Sequence, residues 1–224
     1  MQNPWLELNS SGPPYVLEID REYVRRHNER SPPEHQLMVN AIPEPFIRDP
    51  GTAKVVLLNL NPGYDATVER NHSRPEIRDA IFRNLHGESR AYPFYAFDPA
   101  FRGTGVADYW RKYTRQVQKE AGLDDRTFAR RLLVIEWFPY PSTSSGLPRR
   151  LLCGSQKYSF QLAKEMLAKK GVQVIGTRAQ NYWLQADPEF GRVPFLKNPQ
   201  RPWITRGNMD SSVFDRVVTS LQTA

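Results

Sequence analysis

Cysteine is nearly absent: Cys153 stands alone among 224 residues. An intramolecular disulfide, a cysteine-rich zinc site and a four-cysteine iron–sulfur cluster are thereby excluded within the chain. The four histidines, His27, His35, His72 and His86, share no metal-ligand spacing, so no metal is expected. No window approaches the roughly 20 apolar residues of a membrane span, and the first residues lack a basic stretch followed by an apolar core. A cytoplasmic protein with no membrane partner is the expectation. The glycine signatures of Walker and dinucleotide loops are missing as well, and no cofactor is expected. There is neither an internal repeat nor a low-complexity tract.

What the chain does carry is positive charge. Its 31 Lys and Arg against 24 Asp and Glu give a formal net charge of +7, and 12% of residues are aromatic. Basic charge interleaved with aromatics suits a surface that holds phosphates and stacks bases, although a merely basic surface has the same count. An anionic partner such as nucleic acid is what this charge favours, and a monomer is the expected state. The length suits one α/β domain spanning residues 1–224. Within it the proline-rich residues 1–50 read as an N-terminal extension packed on a core of residues 51–224.

Val55 to Leu60 is a continuous apolar run, the pattern of a strand buried on both faces, and it ends abruptly in Asn61-Pro62-Gly63. Leu132 to Trp137 reads as a second buried strand, Val172 to Ile175 as a third strand, and Val193 to Leu196 as a fourth ahead of a second Asn-Pro pair, Asn198-Pro199. Helical spacing joins Ile77, Ile81 and Leu85 after a capping-box spelling at Ser73 to Glu76. It also joins Val106, Trp110, Tyr113 and Val117, which end near Gly122. Further helices are expected from a cap at Asp20, after Pro32-Pro33, from Ser155 to Lys170, and through Val213 to Leu221. Strands separated by helices imply a mostly parallel sheet covered on both sides. Polar residues that follow such strands stand at the carboxyl edge, where open α/β sheets bind ligands.

In the order of these motifs the chain resembles the uracil-DNA glycosylase superfamily. Asn59-Leu60-Asn61-Pro62-Gly63 is similar to the water-positioning motif Gly-Ile-Asn-Pro-Gly of its mismatch-specific branch, with Asn59 for the leading Gly. Asn198-Pro199-Gln200 is similar to the late motif His-Pro-Ser or Asn-Pro-Ser, with Gln200 for Ser. Leu132 to Pro139 is similar to the strand that ends in a base-reading Asn, with Glu136 instead. Together with Pro43-Glu44-Pro45-Phe46 and Tyr92-Pro93-Phe94-Tyr95, the pattern looks like a bacterial group that includes anti-phage glycosylases acting on modified cytosine. The resemblance implies a three-layer α/β/α sandwich that flips a base out of DNA and hydrolyses its N-glycosidic bond.

Breaking that bond leaves positive charge on the sugar and negative charge on the base, so it needs a positioned water and donors at the base edge. Asn61 is the expected water-positioner, with an Asx-type tie of its own turn as the alternative. Asp65 is a reserve for water activation or a cap, and Asn198 is expected to act from the opposite lip. Where the resemblance places a Tyr that blocks pyrimidine C5, Gly63 leaves space for a substituent, unless it serves only the turn. A protonated Glu136 would donate to cytosine N3 and accept from N4–H; an ion pair with an Arg is the alternative. Phe94 and Tyr95 are expected to stack on the flipped base, or else to belong to the core. Ser142, Ser144, Arg149, Arg201 and Trp203 are the expected DNA contacts. Water rather than a lysine amine is expected to attack. Uracil or mismatched thymine as substrate, nucleic-acid binding without catalysis, and hydrolysis of free nucleosides are the competing functions.

Overall fold

Five consecutive residues, Val55–Asn59, are all buried, as are Leu132–Glu136. A strand buried throughout needs cover on both faces, and parallel strands meet that condition because the helices between them return across the sheet. The computed structural model describes residues 1–48, 50–144, 146–147 and 153–223. Its elements follow the order α1 (Arg21–Arg30), β1 (Phe46–Ile47), β2 (Val55–Asn59), α2 (Ala66–His72), α3 (Pro75–Leu85), α4 (Gly105–Ala121), α5 (Asp125–Arg131), β3 (Leu132–Glu136), α6 (Gln156–Ala168), β4 (Gln173–Gly176), α7 (Gln180–Ala186) and α8 (Ser211–Gln222). The result is a mixed α/β protein with a mostly parallel sheet in the order β1-β3-β2-β4.

In the parallel part, β2 is the centre. Val55 pairs with Leu132 on one side and with Gln173 on the other, and Asn59 pairs with Glu136. The three strands therefore end together, which brings the residues just beyond them to one edge. Helix α6, which links β3 to β4, packs on both, and α8 packs on β2 and β4. Helix α4 begins with the Thr104 hydroxyl accepting from Ala107 N–H and stops at Gly122, whose φ of +68° is the left-handed turn that glycine adopts without strain.

The fourth strand differs from the sequence expectation. Val193 to Leu196 makes one bridge, Phe195 to Gly176, with Gly176 N donating to Pro194 O and Leu196 N to Gly176 O, both at 2.9 Å. Pro194 has no N–H with which to continue a ladder. The Phe195 ring lies so close over Gly176 that a Cβ there would come within 2.0 Å of it. The strand that completes the sheet is β1, antiparallel to β3 with Phe46 opposite Ile135. It comes from the N-terminal residues, whose Trp5, Tyr15, Leu17, Val24 and Leu37 are also buried.

Three local expectations change with tertiary context. Asp20 does not cap α1: its buried carboxylate accepts from Tyr140 Oη at 2.7 Å and from Ser155 N at 3.0 Å. The capping box at Ser73 does not form, because Ser73 Oγ donates to Glu69 O and closes α2 instead. Pro33–His35 is a single 3-10 turn. Among the described residues no helix is long and apolar enough to cross a membrane.

Candidate active site

A cavity of about 550 Å³ opens at the carboxyl edge of the sheet. Asn59 at the end of β2 with Leu60 to Asp65 beyond it, Glu136 at the end of β3 and Arg178 beyond β4 line it, with Tyr109 of α4 and His72 of α2. Asn61 is held by its amide nitrogen, which donates to Ser142 Oγ at 2.9 Å, Pro62 O at 3.1 Å and Tyr140 O at 3.4 Å. Its Oδ1 carries no hydrogen bond among the described residues. A fixed amide with a free acceptor orients a water without deprotonating it.

Glu136 is 3% exposed. Asn59 Nδ2 donates to its Oε1 at 2.9 Å, while its buried Oε2 has no partner among the described residues. Burial pushes the carboxyl up to about 8; the Asn59 bond and the charge of Arg178 oppose the rise, and Glu44 adds to it. Near neutral pH Glu136 is thus an acid with an unspent oxygen. Ala179, directly after Arg178, has φ of +64°, a left-handed backbone at a non-glycine residue beside the site.

Glu44 reaches the same cavity because β1 runs antiparallel to β3. With Phe46 opposite Ile135, the residues before β1 fall beyond the end of β3, and Glu136 N donates to Pro45 O at 2.9 Å. Tyr95 Oη donates to Glu44 Oε2 at 2.5 Å. Burial pushes Glu44 up to about 7 against that bond. His72 Nδ1 accepts from Ile42 N at 3.0 Å, so its proton sits on Nε2, 3.8 Å from Glu44 Oε1. Burial lowers His72 to about 4 and keeps it neutral.

Asn61, Gly63, Asp65, Tyr95, Glu136, Ser142 and Ser144 all line this one cavity. Several of them differ from expectation in what they do there. Asp65 takes the capping role that was its alternative: its Oδ1 accepts from Thr67 N and Thr67 Oγ1, which caps α2 and holds its carboxyl below the ordinary range. Ser142 is buried and fastens Asn61 rather than facing a phosphate, whereas Ser144 is exposed. Tyr95 contributes its hydroxyl, since its ring packs edge-on against Phe101. The glycine at 63 has no left-handed φ, and a Cβ there would meet nothing within 4 Å, so space rather than turn geometry sets it apart.

Other expected site residues are elsewhere. Phe94 is fully buried between Phe97 and Trp110 at ring distances of 5.2 and 5.3 Å, and it belongs to the core. Asn198, Arg201 and Trp203 do not line the cavity. Asn198 Oδ1 accepts from Gln200 N and Arg201 N, an Asx turn within its own loop, and Trp203 lies exposed beside Lys112. Arg149 is outside the described residues.

Glu44, His72, Tyr109 and Arg178 are the site residues that sequence reasoning missed. Arg178 had a signal, being two residues beyond a strand as Asn61 is, and Tyr109 shares the apolar stripe of Val106 and Trp110. Together these groups offer two carboxyls that titrate near or above neutrality, a free amide oxygen, a neutral imidazole N–H and a guanidinium. Such a set can read a heterocycle through its polar edge and hold a water against it. Against known proteins, no family model, no curated protein and no solved structure matches this chain.

Proposed function

We propose that the protein is a monofunctional DNA glycosylase of the uracil-DNA glycosylase fold, a three-layer α/β/α sandwich. It everts a cytosine-type pyrimidine from DNA and hydrolyses its N-glycosidic bond. The observation that carries this reading is the pairing, in one cavity, of the buried Glu136 carboxyl, whose Oε2 has no partner among the described residues, with the unbonded Oδ1 of Asn61. The volume of about 550 Å³ suits a nucleoside-sized ligand, and the net charge of +7 suits a polyanion.

Glu136 donates its Oε2 proton to cytosine N3 and accepts N4–H at the other oxygen. Uracil, with N3–H and O4 in those places, presents the opposite pattern to this acid. As the C1′–N1 bond breaks, its electron pair passes to the base, and the proton at N3 lets it leave neutral. Asn61 Oδ1 holds the water whose oxygen bonds to C1′; the proton that water gives up replaces the one Glu136 supplied. Gly63 leaves room beside the base, so a 5-substituted cytosine is the proposed substrate, in defence against phage that carry modified DNA. Asn198 takes no part.

Mass spectrometry of material released from cytosine-modified and unmodified DNA tests the proposal. Free modified cytosine with matching abasic sites is expected, and borohydride should trap no covalent adduct. Release of uracil alone, or of no base from any DNA, would overturn it.

A further inference from the structure

A second cavity, of about 600 Å³, lies at the other end of the sheet. Lys54, Arg131 and Val172, which line it, immediately precede β2, β3 and β4. It is separated from the candidate active site by the length of a five-residue strand, about 17 Å. Seven of its described lining residues are Arg or Lys, against one carboxylate, Glu88. That carboxylate is already engaged by Arg83, at 3.1 Å.

The cations fall into two groups. Some are built into the fold: Lys169 Nζ donates to Pro50 O and Gly51 O, Arg131 donates to Leu221 O, and Arg90 faces Asp79 at 3.4 Å. Arg48, 1% exposed, sits on a left-handed backbone with φ of +94°, held by the Asn84 side chain, which bonds Arg48 N and Phe46 O. Others are unspent: the Arg130 and Lys170 side chains have neither ion pair nor hydrogen bond among the described residues. Gathering like charges around a concavity costs free energy that a bound anion relieves. Guanidinium and ammonium groups together suit oxygen-rich anions of high charge density.

We infer that this second cavity binds a polyphosphate, an anion with two or more closely spaced phosphates. The inference is independent of the glycosylase reading. A nucleotide everted into the active site cannot reach it, because the whole sheet lies between.

Calorimetric titration of the full chain with inorganic tripolyphosphate at constant ionic strength tests the site. One-to-one saturable binding is expected, at least about tenfold tighter than that of orthophosphate. Arg130→Ala and Lys170→Ala should each weaken it about tenfold with no change in melting temperature, and Asn61→Ala should leave it intact. Tripolyphosphate should also protect Lys170 from acylation, read by mass spectrometry. Displacement by duplex DNA would assign the phosphates to a nucleic-acid backbone, and persistence with DNA bound would assign them to a free polyphosphate; either outcome upholds the site. Unsaturable binding, or equal affinity in the doubly substituted protein, overturns it.

Discussion

Asn59 and Glu136 stand opposite each other in the parallel pairing of β2 with β3, and the amide of the first donates to the carboxyl of the second at 2.9 Å. The bond favours a charged carboxylate, yet burial prevails and Glu136 keeps its proton up to about pH 8. Glu136→Gln preserves the acceptor that Asn59 needs and removes the proton. Turnover of a cytosine-type duplex should fall about 10² to 10⁴-fold, with DNA affinity retained in a binding assay. The wild-type rate should decline as pH rises through about 8. The same substitution tests the burial: a carboxyl raised in the folded state costs stability progressively from about pH 4.5 to 8. The variant should therefore melt with wild type near pH 4 and above it at pH 8 and beyond; equal melting throughout would contradict a protonated Glu136.

His72 gives the opposite sign. Its folded value, about 4, lies below the ordinary 6.5, so the unfolded chain takes up the proton first and stability is lost as pH falls from about 6.5 through 4. His72→Asn, whose Oδ1 can still accept from Ile42 N, should flatten this acid limb by up to one proton, about 1.4 kcal/mol per pH unit. Denaturant titrations at several pH values would measure it.

Asn61 is tied through its amide nitrogen to Ser142, Pro62 and Tyr140 and has an unbonded oxygen, and two substitutions separate the ties from the oxygen. Asn61→Ala removes both and should lower turnover about 10² to 10³-fold, the scale for one positioned polar group. Ser142→Ala removes one of the three ties, leaving Pro62 O and Tyr140 O as acceptors for the amide, and should cost about tenfold. Equal losses, measured as single-turnover rates, would mean that Asn61 serves the turn alone.

Gly63→Tyr should fold normally, since nothing lies within 4 Å of a Cβ there and no left-handed φ is required. Activity on unsubstituted cytosine should survive, and activity on 5-substituted cytosine should drop at least about tenfold. A uniform loss on both substrates would argue against Gly63 as the source of tolerance at C5.

Residues that follow a continuous apolar run could be read locally, and the part of the site built from them was legible. Asn61, Gly63 and Glu136 stand where a buried strand ends, and one parallel register carries them to one cavity. Phe94 was not separable from Tyr95 by pattern, because both sit in one aromatic run; only packing puts the first in the core and the hydroxyl of the second on Glu44. Asn198 repeated the Asn-Pro spelling of Asn61 but spends its oxygen on its own loop. The short helix α2 has little apolar stripe, and His72 at its end stayed hidden.

Three strands, their alternation with helices and the polar residues at their ends are legible in the sequence alone, most clearly for β2 and β3, since burial on both faces leaves a mark along the whole of a strand. Tertiary structure decided what no local window contains. An antiparallel edge strand drawn from the N-terminal residues sets Glu44 beside Glu136, and desolvation in the shared cavity raises both carboxyls. Proximity between residues 92 positions apart, and the loss of water around them, exist only once the sheet has closed.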